Sequence, residues 1–159
     1  MYKRVVIPLD GSPVAEAILP FILEIAGPLD LEVVLVRVLT PMPPQVVEGS
    51  RHVVVEDPEA RRLDAEEYLA PMAAELAAKG VRVRTEVRRG EPAAEIVTAA
   101  REAAADLIAM TTHGRSGLGR LLFGSVAESV LRRAEIPVFL MRLTAAQVTE
   151  RAARKEAAR

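Results

Sequence analysis

Cysteine is absent from this sequence, so disulfides and thiol catalysis are excluded, and a cytosolic protein is compatible with that absence. Aromatic residues are scarce, at 3% of the chain. The core must therefore come from Val, Leu, Ile, Ala and Met. Half of the residues are hydrophobic, which is enough for a substantial one. A core dominated by Ala and Val fits helices packed on a sheet. Charge of one sign is not in excess either. With 21 basic and 22 acidic residues the formal net charge is −1, which argues against a bulk polyanion partner such as DNA while leaving room for a local basic patch. No apolar run approaches the ~20 residues of a spanning helix. The run Val5 to Leu9 is too short for a signal-peptide core. These absences lead to the expectation of a soluble cytoplasmic protein with neither nucleic acid nor membrane as partner. No internal repeat is visible, and 159 residues suit a single domain.

What is present is an alternation. RVVIPLD, Arg4 to Asp10, reads as a buried strand closed by Asp-Gly-Ser-Pro. Ser12 followed by Pro13 signals a helix start, and that helix is expected to run to about Ala26 before Gly27-Pro28. Leu31 to Leu39 is a second, nearly continuous apolar strand. Thr40 to Pro58 holds several prolines without a period and reads as a long loop, either a lid or a surface excursion. An alanine-rich helix follows from Pro58 to Lys79, with Pro71 expected to kink or divide it. Val81 to Val87 alternates as a more exposed strand. Gly90-Glu91-Pro92 opens another helix, ending near Ala104. Asp106 to Thr112 is a strand, Ser125 to about Ala134 a helix, and Ile136 to Arg142 the last strand. Strands alternating with helices imply a doubly wound α/β domain: five parallel strands, helices on both faces, right-handed crossovers. We expect one such domain over residues 1–143 and a peripheral or frayed helical tail over 144–159.

The stretch THGRSGLGRLLFGSVAES, Thr112 to Ser129, carries the chemistry. Ser125-Val126-Ala127-Glu128 matches a capping box, which sets a helix start just after Gly124. A helix start offers free N–H groups and the positive end of its dipole to an anion. Gly114, Gly117, Gly119 and Gly124 allow close approach, and Arg115 and Arg120 add charge. The stretch is a phosphate cradle or, alternatively, a set of turn glycines before an ordinary cap. It is not a Walker A loop, because Arg120-Leu121 stands where Lys-Ser/Thr belongs. Leu122 breaks a Rossmann glycine pattern, and Leu118 breaks a hydrolase elbow. Topology bears on the choice. If the strand order is 3-2-1-4-5, it reverses between strands one and four, where open α/β sheets bind ligands. Asp10 and the glycine stretch would then face one crevice.

Taken together, these residues resemble the universal stress protein family. The resemblance covers about Lys3 to Arg142. The nucleotide-binding members carry G-x2-G-x9-G-[ST] after the fourth strand, and Gly114, nine residues, then Gly124-Ser125 match its last three elements. VVIPLDGSPVAEAIL and VAESVLRRAEIPVFLMR resemble the family's first and last strand–helix units. One departure stands out: the first motif glycine falls on Thr111. A β-branched residue would be strained there if the position needed φ > 0. The resemblance implies an ATP-binding regulatory protein, with ATP or another adenine nucleotide as ligand, together with Mg2+. By it, Asp10 would face the ribose or a metal-linked water, Pro8 and Leu9 would line the nucleotide, and the Val38 backbone would meet the adenine edge. Thr111 and Gly114 would lie along ribose and phosphate, with Gly124, Ser125 and Val126 binding phosphates. It also implies a homodimer whose last strands, Ile136 to Arg142, pair antiparallel; an ordinary edge strand would look the same.

Two other functions compete: a nucleotide-independent dimeric interaction module, which Thr111 favours, and a slow ATPase. No positioned nucleophile–base pair can be named, so no catalytic residue is assigned. His113 lacks a nameable reacting group or orienting partner, and His52 has no companion ligands. Arg37, in an otherwise apolar strand, either reaches the strand end near the ligand or pairs with a carboxylate, and pairing is the expectation. Glu91 and Glu95 should favour their helix N-terminus. A phospho-receiver domain is excluded, because the third strand ends Val87-Arg88-Arg89 and the fifth ends Met141-Arg142, without the required Asp and Lys.

Overall fold

Val5 and Ile7 point to one side of strand β1 (Arg4–Pro8) and Val6 to the other, and all three are fully buried. A strand with two apolar faces needs cover on both. The computed structural model, which describes residues 2–42, 45–46, 53–54, 57–113 and 124–157, supplies it. Parallel pairing joins β1 to β2 (Glu32–Leu39) on one side and to β6 (Leu107–His113) on the other. Strand β5 (Arg82–Arg89) adds outside β2, and β7 (Val138–Leu143) outside β6, both parallel. The sheet order β5-β2-β1-β6-β7 is the expected 3-2-1-4-5 of a doubly wound domain.

One face packs Val5, Ile7, Val33 and Leu35 against Ile18 and Ile22, and against Leu69 and Leu76 of α3 (Pro58–Ala78). The other packs Val6, Val34, Val36 and Ile108 against α4 (Pro92–Glu102) and α5 (Ser125–Arg133). There the helices present mostly alanine, Ala93, Ala99 and Ala127, which brings them close to the sheet. Each buried Ile, Leu or Val contributes roughly 1.5–3 kcal/mol to holding the layers together.

The structure corrects several local expectations. The first helix is two: α1 (Pro13–Glu16) and α2 (Leu19–Ala26). Pro20 is the reason, since its ring would clash with the carbonyl of Glu16 four residues back and it has no N–H to donate there. By contrast α3 runs through Pro71 undivided. Within the long loop, β3 (Gln45–Val46) and β4 (Val53–Val54) pair antiparallel, elements too short to leave a periodic signal. The tail forms α6 (Ala145–Ala157), which packs on α1.

Candidate functional site

Sheet order reverses between β1 and β6, and those two strands separate there. Their ladder contains Val5–Leu107 and Val6–Ile108, whereas β1 stays paired with β2 as far as Pro8–Val36. Beyond Val6 the strands part, leaving a crevice at their carboxyl ends. Pro8 is half-buried on one wall. Leu9 is buried, its N–H bonded to the Val36 carbonyl at 2.8 Å. Asp10 is exposed at the rim, and its Oδ1 accepts the Ser12 N–H at 2.9 Å. Gly11 between them has φ +89°, a conformation that favours glycine. Ser12 then caps α1 through its Oγ, which accepts the Ala15 N–H at 3.1 Å.

The opposite wall is β6. Thr111 lies within the strand, outside the positive-φ region, so the backbone strain that a motif glycine might have relieved does not arise. Its Oγ1 is buried without a hydrogen-bond partner among the described residues. By strand alternation it lies on the face of β6 that carries Leu107 and Ala109, opposite to Thr112. Sequence reasoning missed the role of Thr112. Buried next door, its Oγ1 accepts the Gly124 N–H at 3.4 Å and ties the start of α5 to the end of β6.

Helix α5 begins at Ser125, as expected, but not by a capping box. Gly124 is the N-cap, with no side-chain hydrogen bond at the helix start. Glu128 turns away to Arg132, at 2.7 Å. The capping box forms instead at Thr144 and Gln147, whose side chains exchange bonds with each other's N–H groups at 2.9 and 3.3 Å. Elsewhere Ser12, Asp57 and Glu91 cap α1, α3 and α4 with side-chain oxygens. At Glu91 the N–H bonds, chiefly from Ala94, hold the carboxyl below its ordinary range. Ser125 is exposed and Val126 half-buried. A Cβ built on Gly124 meets nothing within 4 Å among the described residues.

Val38 is on β2, one strand further from the reversal, half-buried and level with Arg88 of β5. Gly114, with Arg115, Gly117, Gly119 and Arg120, lies outside the described residues, as does His52. Arg37 does not pair with a carboxylate among the described residues. Its Nη1 donates to the Leu9 carbonyl at 3.3 Å, and its guanidinium lies 5.4 Å from the centroid of the Tyr68 ring. The Tyr68 hydroxyl donates to Glu16 at 2.9 Å, and burial, then that bond, raises its pKa. No sequence signal joined these residues, because α3 meets α1 and β2 only in the fold. No group of three or more His, Cys, Asp or Glu is gathered for a metal among the described residues.

The family model described as the universal stress protein family matches residues 1–142. This chain belongs to the universal stress protein family. Universal stress protein MJ0531 of Methanocaldococcus jannaschii is 38% identical over 144 residues, spanning 89% of this chain and 83% of that one. Among solved structures, MJ0577 of the same organism superposes with a TM-score of 0.67 at 25% identity, over 90% and 97% of the two chains. Two further universal stress proteins show the same fold. One is from Archaeoglobus fulgidus in complex with dAMP, with TM-score 0.62, 24% identity and coverage of 87% and 97%. The other is in complex with cAMP, with TM-score 0.63, 21% identity and coverage of 89% and 97%. No helix among the described residues of this universal stress protein is long and apolar enough to cross a membrane.

Proposed function

We propose that this universal stress protein binds an adenine nucleotide, ATP with Mg2+, in the crevice between β1 and β6, and acts as a nucleotide-responsive regulatory homodimer. The observation that carries the reading is the start of α5, which the Thr112 hydroxyl ties to the end of β6 and which has no side-chain cap among the described residues. Adenine nucleotides in two solved universal stress proteins point to the same ligand class. In this reading Pro8, Leu9 and the Val38 backbone line the base, and Asp10 faces the ribose or a water on Mg2+. Thr111 and Gly114 lie along ribose and phosphate, and Gly124, Ser125 and Val126 hold phosphates by backbone N–H. The dimer would form through Ile136 to Arg142, which contains most of the sheet-edge strand β7, with residues 1–143 as the nucleotide domain and residues 144–159 as its appendage.

A second reading, a dimeric interaction module without nucleotide, draws on Thr111 in place of the motif glycine. Calorimetric titration with ATP and Mg2+, after stripping any nucleotide carried through purification, separates the two. Saturable binding near one site per chain is expected. A folded protein that takes up no ATP would leave the interaction module. Sedimentation of the same sample should give a dimer mass.

A further inference from the structure

Two of the half-buried arginines are engaged by carboxylates. Arg4 meets Glu32 at 2.5 Å, and Arg88 meets Glu95 and Glu102 at 2.9 Å each. Arg37 is placed differently. It stands one residue before Val38 on β2, and its guanidinium runs under the turn that ends β1. Three observations place it there: the bond from Nη1 to the Leu9 carbonyl at 3.3 Å, the ring of Tyr68 at 5.4 Å, and the approach to Gly11. A Cβ at Gly11 would lie 3.1 Å from Nη1 and 3.4 Å from Nη2, so the guanidinium fills the space that a side chain there would need. Tyr68 is itself held by its bond to Glu16 of α1, and α1 is capped by Ser12, whose N–H is bonded to Asp10. The turn from Leu9 to Ser12 is thus gripped from beneath by a planar cation and from its far end by the helix cap.

We propose that Arg37 is a positioning residue for Asp10: set over the Tyr68 ring and bonded to Leu9, it fixes the turn at Gly11 and so sets where the Asp10 carboxylate stands relative to the ribose hydroxyls of a bound nucleotide. This rests on the nucleotide reading above. Arg37 touches no ligand itself. A planar fork that lies over a ring and donates at once is not replaced by a lysine. The test is a titration of the full stripped chain with two probes, ATP–Mg2+ and 2′,3′-dideoxy-ATP–Mg2+. Arg37→Met should weaken ATP about tenfold and the dideoxy probe less than about twofold. In an Asp10→Asn background, Arg37→Met should cause no further loss of ATP affinity. Equal losses for both probes, or additive losses in the double variant, would overturn the role while the nucleotide reading stood. If the parent chain bound neither probe, that reading and this inference would fall together. Should thermal unfolding show Arg37→Met misfolded, Tyr68→Leu and Arg37→Lys run through the same cycle, and each should show the same selective loss in smaller measure.

Discussion

Where β1 begins, the Asp106 carboxylate accepts the N–H groups of both Lys3 and Arg4, at 2.7 and 3.0 Å; where β1 ends, the Asp10 carboxylate accepts one, from Ser12 of its own turn. The same contrast runs across the two ends of the sheet. At the amino end, Arg4 bonds Glu32 and the Ala103 carbonyl, and the Asp106 N–H bonds the Arg4 carbonyl. Polar groups there are spent on one another. At the carboxyl end, the Thr111 hydroxyl has no partner among the described residues, and α5 starts on a glycine. The two ends of one sheet therefore finish in opposite ways. The difference separates polar groups that hold the fold from those available to a ligand.

Changes at the carboxyl end should cost binding, and changes at the amino end should cost stability. The largest effect is expected from Gly124→Val. At φ −55° and ψ 151° valine is tolerated, and the new Cβ meets nothing within 4 Å among the described residues. Loss of a glycine N-cap should cost no more than about 1 kcal/mol of stability, while titration should show ATP affinity lost by about 100-fold or more. Unchanged affinity would mean that α5 does not cradle phosphate. Next comes Asp10→Asn, expected to weaken ATP about tenfold, the size of one charge-assisted hydrogen bond, with the melting curve unmoved. A fall in melting temperature instead would make Asp10 a fold-holding group like Asp106. Gly11→Ala mixes the two classes. The φ of +89° and the 3.1 Å approach of Arg37 should cost roughly 1–2 kcal/mol in denaturant unfolding, with weakened binding as well.

The smallest effect is a pH dependence at the amino end. Bonds from the Lys3 and Arg4 amides lower the Asp106 pKa in the folded chain. A depressed carboxyl contributes stability that is present above its unfolded pKa and is lost as pH falls through the folded one. Acid unfolding of Asp106→Asn should thus lose part of the parent's decline below about pH 4. Identical acid limbs would remove Asp106 from that account.

The order of elements could be read from the sequence because the β–α alternations carried their own punctuation: Ser12-Pro13, Gly80 and Gly90-Glu91-Pro92 all bound elements close to where they were expected. Asp10 could be placed at the crevice because topology alone brings strand ends together at a reversal. Capping was harder. Ser125-x-x-Glu128 and Thr144-x-x-Gln147 look alike in one dimension, yet Gly124 takes the cap position in the first and Glu128 finds Arg132. Local patterns do not show which neighbour wins. The Arg37–Tyr68–Glu16 group was invisible for a related reason, since its members come from β2, α3 and α1, and only packing sets their distances.

That group also makes the protein its own optical probe. The chain has no tryptophan and two tyrosines, and Tyr2 is 47% exposed near the chain start. Tyr68 is the other, clamped between a cation and a carboxylate beside the turn that carries Asp10. Near-ultraviolet dichroism depends on a ring held in a fixed asymmetric setting, so the tyrosine band should come almost wholly from Tyr68. A ligand that shifts the turn would change that band without any label attached to the chain.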